Sequence, residues 1–198
     1  TNLKNIHYYK DLFQLNFSNN HIIILGINDI EKKNNLKIYN SLVVVDNNLN
    51  VLNYYHKNNL VPFGEFLPME NFLKKIGLKT ITNNYQSFSK GKERKIISIK
   101  NKNFDLSFLP LICYEIIYSG NLKKTNNFDF IINISEDGWF GNSIGPYQHY
   151  AHSRFRSIEQ GKTLIRSANN GISAIINPTG KIKSLIDLEE TGSIYTNE

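Results

Sequence analysis

Apolar residues in this chain come in short runs separated by polar turns, and the period of each run predicts its element. Tyr9, Leu12, Phe13 and Leu15 recur at helical spacing, which predicts an amphipathic helix over residues 8–17, ended by Asn19-Asn20. Residues 22–25 form a continuous aliphatic run of strand length, closed by Gly26. Residues 39–46 and 51–55 predict two more strands, joined across Asn47-Asn48 in a hairpin. Residues 60–68 carry Pro62, Gly64 and Pro68, a spacing that neither a helix nor a central strand tolerates, so they form an ordered loop. Residues 70–76 predict a short helix. Residues 95–99 and 104–109 predict strands around a turn at 101–103, the second continuing through Pro110 to Cys113. Residues 128–134 read as a buried strand, 136–146 as a Gly-rich loop and 147–167 as a long helix. Asn169-Asn170-Gly171 then reads as a helix C-terminal stop with Gly171 at positive φ. Residues 173–177 and 181–186 close the chain with a hairpin over Pro178-Thr179-Gly180. Strands alternating with helices predict an α/β layered fold, one domain over residues 1–198, without repeat or linker.

Composition narrows the picture. A 40% hydrophobic and 12% aromatic content is enough for a packed core. A single cysteine, Cys113, excludes an intrachain disulfide framework or a Cys-rich zinc module. No run approaches the ~20 apolar residues of a membrane-spanning helix, and residues 1–7 hold no apolar signal core. The net charge of +6 and pI near 9.2 come from dispersed lysines such as Lys32, Lys33, Lys74, Lys75, Lys123 and Lys124. None builds a block of like charge, so no nucleic-acid partner is expected. Asparagine, lysine and isoleucine are abundant everywhere, and the surface Asn and Lys residues carry little information.

Cys113 stands apart. It ends a strongly apolar strand, residues 108–112, and precedes Tyr114-Glu115-Ile116-Ile117. A strand that delivers a thiol into a turn opening a helix holds the sulfur at the sheet edge, where backbone N–H groups can receive an oxyanion. The competing reading is a small buried hydrophobe. A thiol nucleophile also needs a base or a cation beside it. Glu115 lies two residues away, and Lys57 and Glu65 bracket the proline-rich loop; a plain surface salt bridge is the bland alternative.

These residues resemble a family. Residues 55–68 (Tyr-His-Lys-Asn-Asn-Leu-Val-Pro-Phe-Gly-Glu-Phe-Leu-Pro) are similar to the lysine-bearing loop of apolipoprotein N-acyltransferases, a membrane branch of the nitrilase (carbon–nitrogen hydrolase) superfamily. Ile-Cys-Tyr-Glu at 112–115 resembles the nucleophile motif. Asn-Ile-Ser-Glu-Asp-Gly-Trp-Phe-Gly at 133–141, Gly-Pro-Tyr-Gln-His at 145–149, residues 154–159 and Arg-Ser-Ala-Asn-Asn-Gly-Ile-Ser at 166–173 match it in the same order. The resemblance covers nearly all of the chain from His21 onward. It implies a nitrilase-type α-β-β-α sandwich, partial here because the first strand and a base-bearing turn are not found. It also implies a Glu–Lys–Cys triad. Carried over, Cys113 is the nucleophile, Lys57 the cation at the tetrahedral intermediate and Glu65 the accessory glutamate. Tyr114 and Glu115 are functional neighbours, and Trp139 and Phe140 offer apolar surface to an acyl chain. The reaction implied passes a fatty acyl group from a phospholipid, through a Cys113 thioester, to the N-terminal amine of diacylglyceryl-cysteine in an apolipoprotein. No metal and no organic cofactor is implied. The place implied is the bacterial inner membrane, held by segments outside this chain, with the catalytic domain facing the periplasm.

The match departs at the general base. The family's glutamate belongs upstream, in a Trp-Pro-Glu-like turn, and residues 1–7 hold no carboxylate. Asp11 falls in the predicted helix and Glu31 in a polar turn, and neither receives the role. The expectation is therefore an internal fragment of a longer protein, inactive alone in acyl transfer. Two alternatives stay open: a soluble nitrilase-type amidase using the same Cys/Lys/Glu chemistry, and a basic nucleic-acid or surface-binding module in which Cys113 is merely buried.

Other motifs carry less. Gly141-Asn142-Ser143-Ile144-Gly145 fits G-x-S-x-G, but no strand runs directly into Ser143 and Pro146 comes just after, so a nucleophilic Ser143 is not expected. His149 and His152 share a helix face, as packing or surface histidines rather than metal ligands. Arg154, Arg156 and Arg166 read as a solvated helix face.

Overall fold

The computed structural model describes residues 2–32, 36–69, 87–100, 105–120, 122 and 127–196. The helix expected over 70–76 and the turn at 101–103 lie outside the described residues. A 3-10 helix, Leu3–Tyr9, leads into α1, Lys10–Asn16. Three antiparallel strands come next, β1 (Ile23–Lys32), β2 (Leu36–Val45) and β3 (Val51–His56), in sheet order β1-β2-β3. Strands β4 (Ile97–Lys100), β5 (Asp105–Ile112), β6 (Phe130–Glu136), β7 (Thr163–Asn169), β8 (Ser173–Ile176) and β9 (Ile182–Ile186) form a second sheet in sequence order. Its centre, β5-β6-β7, is parallel, and its flanks are antiparallel. Between β6 and β7 runs α2, Gly145–Gln160.

The layering arises from which face each residue buries. Along β2, Val43 and Val45 pack with Ile6, Ile23, Ile27 and Leu49 under the N-terminal helical segment. Leu42 and Val44 point the other way, into a core shared with Phe108, Ile112 and Ile132 of the larger sheet. A strand buried on both faces needs a continuous aliphatic run, and Leu42-Val43-Val44-Val45 supplies it. In β5 the same alternation sends Leu109 and Leu111 outward to Ile116, Leu122 and Tyr150 of α2. The result is an α-β-β-α sandwich, as the family resemblance implied. Pro110 sits beyond Phe108, the last β5 residue paired with β4, where the strand is open on one side and proline is tolerated.

Three elements differ from expectation. The long helix of 147–167 is two elements: α2 stops at Gln160, Gly161 takes φ 60 as a left-handed cap, and β7 begins at Thr163. Thr163 and Ile165 are β-branched, and β7 inserts between β6 and β8, a long-range pairing that overrides the helical spacing. Asn169-Asn170-Gly171 is accordingly a strand-to-strand turn. Asn170, not Gly171, holds the positive φ of 48. Gly171 is needed for a different reason, since a Cβ there would strike the Asp137 carboxylate. Finally, β1 runs on to Lys32, so Glu31 stands in a strand opposite Lys37 rather than in a turn.

Candidate active site

The centre is the end of β5. Cys113 leaves the strand with φ 50, a conformation disfavoured for a side chain bearing Cβ, and opens the 3-10 helix Cys113–Ile117. Left-handed backbone at this point turns the chain sharply and brings the side chain to a cavity of about 810 Å³. That volume suits a sizeable organic ligand. The cavity is lined by Cys113, Tyr114, Lys57, Glu65, Trp139 and Phe140, and on the facing sheet by residues of β1 around Gly26.

Lys57 arrives from the other sheet, one residue past β3. Its side chain is 1% exposed, and Nζ lies 2.7 Å from Glu65 Oε2. A buried ammonium requires such a partner. Glu65 is itself fixed: Oε2 accepts from the Val61 N–H at 2.9 Å, and Oε1 from Asn40 Nδ2 at 2.9 Å. The loop carrying it closes through Glu65 N–H to Val61 O and Phe63 N–H to Phe66 O, with Phe63 at φ 62. The prolines and glycine of this loop thus serve a tight, self-bonded turn. Gly91 N–H donates to Lys57 O, and a Cβ on Gly91 would collide with the His56 carbonyl, so only glycine lets that segment approach.

Glu115 does not reach the cavity. It is fully buried and ties the lysine loop to the cysteine turn. Oε1 accepts from Tyr55 Oη at 2.7 Å, from the Asn58 and Asn59 N–H groups at 3.2 and 3.1 Å, and from Arg94 Nη2 at 3.0 Å. Oε2 accepts from the Ile112 N–H at 2.9 Å. Burial and the Glu115 charge push the Tyr55 hydroxyl well above its ordinary value, so it remains a donor. Burial alone would lower Arg94, yet Glu115 holds it above its ordinary value. A carboxylate saturated by five donors is a structural clamp rather than a base.

A second buried network lies behind the cysteine. His149 of α2 places Nδ1 2.9 Å from Asp137 Oδ1 and Nε2 3.3 Å from the Cys113 carbonyl oxygen. Arg166 of β7 donates from Nη2 to Asp137 Oδ2 at 2.6 Å, from Nε to Ile172 O at 3.1 Å, and from Nη1 to Asn133 Oδ1. Burial would raise the Asp137 carboxyl, but its bond to His149 and the Arg166 guanidinium hold it below the usual carboxylate value. Sequence reasoning misses this network. Arg166, expected on a solvated helix face, is a fully buried strand residue, and His149 is more than a packing histidine. The available signal is Gly161, which ends the helix before Arg166.

The remaining residues sort plainly. Trp139 is 77% exposed at the cavity rim, and Phe140 lies deeper against His149. Glu136, a carboxylate not singled out from the sequence, also lines the cavity, and its Oε1 accepts from the Gly138 N–H and Asn170 Nδ2, both at 2.9 Å. Ser143 Oγ donates to Phe140 O at 2.8 Å and accepts from the Gly145 N–H, an ordinary turn hydroxyl. Arg154 donates to Gly180 O, and Arg156 pairs with Glu159 at 2.6 Å. Burial, Arg156 and His149 together hold His152 below its ordinary value. Among the described residues, no group of three or more His, Cys, Asp or Glu is arranged to hold a metal, and no helix is long and apolar enough to cross a membrane.

Two facing sheets with helices outside, and a thiol delivered to a cavity at the edge of the larger sheet, define a cysteine-centred α/β sandwich. The chain belongs to the carbon–nitrogen hydrolase family, whose sequence pattern matches residues 7–197. It is 42% identical over 188 residues to an apolipoprotein N-acyltransferase of Rickettsia prowazekii, covering 93% of this chain and 36% of that protein. It is also 42% identical over 157 residues to one of Rhodopseudomonas palustris, covering 79% and 29%. The chain thus spans about a third of the length of these curated relatives. Among solved structures, a mutant amidase from Nesterenkonia sp. AN1, with the acetamide moiety of fluoroacetamide added covalently at its active-site cysteine, superposes with a TM-score of 0.62. It is 14% identical, over 93% of this chain and 63% of the amidase. A glutamine-dependent NAD+ synthetase from Acinetobacter baumannii superposes with a TM-score of 0.63 at 18% identity, over 95% and 33%. At these identities the likeness is one of fold.

Proposed function

We propose that the protein to which these residues belong transfers a fatty acyl group from a phospholipid to the N-terminal amine of a diacylglyceryl-cysteine apolipoprotein, through a thioester on Cys113. The observation that carries this reading is one cavity bounded by Cys113 on the larger sheet and the buried Lys57–Glu65 pair on the smaller. Relatives at 40–43% identity bearing the name apolipoprotein N-acyltransferase support the choice of donor and acceptor. In the first half-reaction the sulfur attacks the ester carbonyl carbon. A C–S bond forms, the C–O bond breaks, and the thiol's proton ends on the departing lysophospholipid hydroxyl. Lys57 faces the tetrahedral oxyanion as a cation needing no reorganisation. In the second half-reaction the amine attacks the thioester, the C–S bond breaks, and an amine proton returns to the sulfur. Trp139 and Phe140 give the acyl chain an apolar wall. The general base is a glutamate contributed from upstream of these residues. The setting is the bacterial inner membrane, anchored by segments beyond this chain, with this domain on the periplasmic side.

The test incubates the purified protein with phospholipid and a synthetic diacylglyceryl-cysteine peptide, with mass spectrometry of the products. The expected result is N-acylated peptide and lysophospholipid in equal amounts. Free fatty acid without N-acylated peptide would overturn the transferase reading in favour of hydrolysis.

A further inference from the structure

His149 is 2% exposed and is not part of the cavity wall, yet it bonds to the main chain of the cysteine itself. We propose that His149 is a positioning residue that sets the Cys113–Tyr114 peptide so that the Tyr114 N–H faces the cavity as a donor to the oxyanion. This rests on reading Cys113 as the acyl-accepting thiol.

The argument is geometric. The carbonyl of Cys113 points away from the cavity, towards His149 Nε2 at 3.3 Å and Asn133 Nδ2 at 3.5 Å. Among the described residues no peptide is cis, and in a trans peptide the C=O and the following N–H point in opposite directions. Fixing the Cys113 oxygen behind the turn therefore turns the Tyr114 N–H to the front, where both Cys113 and Tyr114 line the cavity. A carbonyl only accepts, so Nε2 carries a proton. The turn needs such a hold, because Cys113 sits at φ 50, a conformation the backbone would otherwise leave. The anchor is itself held from three elements. Asp137 Oδ1 and Arg166 Nη2 of β7 lie 2.9 and 3.2 Å from Nδ1, Ser135 Oγ of β6 donates to the same Asp137 oxygen at 2.7 Å, and Arg166 Nη2 grips the other. Phe140 and Tyr114 rings flank the imidazole at 5.3 and 6.4 Å between centroids. The buried Asp137–Arg166 pair thus reaches one main-chain oxygen only through the imidazole it holds.

The test compares two reactions of the same sulfur in the full-length protein. Acylation by p-nitrophenyl butyrate, read as the nitrophenolate burst, passes through an oxyanion. Alkylation by iodoacetamide displaces iodide from a saturated carbon and needs no oxyanion donor. In His149→Gln the amide nitrogen reaches the former Nε2 position and still donates to the Cys113 carbonyl. In His149→Asn it reaches only the Nδ1 position. The expected result is a burst rate lower by about 10²–10³ in His149→Asn, the usual cost of one lost oxyanion donor. Alkylation should stay near the wild-type rate, and His149→Gln should restore most of the burst. Equal loss of both reactions in His149→Asn and His149→Gln, or a wild-type burst in His149→Asn, would overturn the proposal. A wild-type protein that alkylates Cys113 but shows no burst would instead overturn the reading of the thiol on which it rests.

Discussion

Replacing Glu115 by Gln changes one atom at the junction of the two sheets, and the surrounding donors dictate the consequence. Four donors converge on Oε1 and one on Oε2. The glutamine oxygen therefore stays at Oε1, and its NH2 is forced against the Ile112 N–H. Two donors facing each other in a dry site leave both unsatisfied, at about 1–3 kcal/mol. Arg94 exchanges a charge-assisted bond for a neutral one, a further loss of roughly 1 kcal/mol. The sum is about 2–4 kcal/mol, a large share of the 5–15 kcal/mol that holds a typical domain together. For a domain of this size that lowers Tm by roughly 2–4 °C per kcal/mol. Because Glu115 joins Asn58 and Asn59, next to Lys57, to Ile112, next to Cys113, the change also loosens the ammonium relative to the thiol. Thermal unfolding and the Cys113 acylation burst should both fall. An unchanged Tm together with an unchanged burst would refute the clamp assigned to Glu115.

Lys57→Met removes the cation while Glu65 keeps Asn40 and the Val61 N–H, and the burst should fall by about 10²–10³; a wild-type burst would mean that the ammonium does not face the oxyanion. Glu136→Gln keeps an oxygen for the Gly138 and Asn170 donors and removes the charge, so acylation should persist; its loss would make Glu136 the proton acceptor instead of an upstream glutamate. Asp137 is held below the usual carboxylate value, so it stabilises the fold fully above its unfolded pKa of about 3.9, and that contribution fades as pH falls through the lower folded value. Urea unfolding of wild type and Asp137→Asn between pH 7 and pH 3 should show a gap that is widest at neutral pH and narrows below about pH 4. A gap independent of pH would contradict the network.

What the sequence revealed is what local pattern encodes. The aliphatic run of β2, the proline-rich loop and the β5–Cys113 junction each announce themselves within ten residues. An α/β layered fold was legible from those runs, and the α-β-β-α sandwich from the family resemblance. Arg166 was hidden because 147–167 reads as one helix, on whose face an arginine looks solvated; its partner Asp137 lies 29 positions away and becomes adjacent only when β7 pairs with β6. His149 was hidden likewise, since the Cys113 carbonyl it reaches is 36 positions upstream. Glu136 turns towards the cavity because β6 ends there, which no periodicity reports. Buried polar contacts between distant segments decided each of these cases.

The most direct test of a nucleophilic Cys113 is mass spectrometry of the full-length protein after mixing with phospholipid and no acceptor. The account predicts a mass increase of one fatty acyl group on the peptide containing Cys113, removed by neutral hydroxylamine and absent in Cys113→Ala. An unmodified Cys113 peptide under conditions in which the protein forms N-acylated product, or an adduct on another residue, would contradict it.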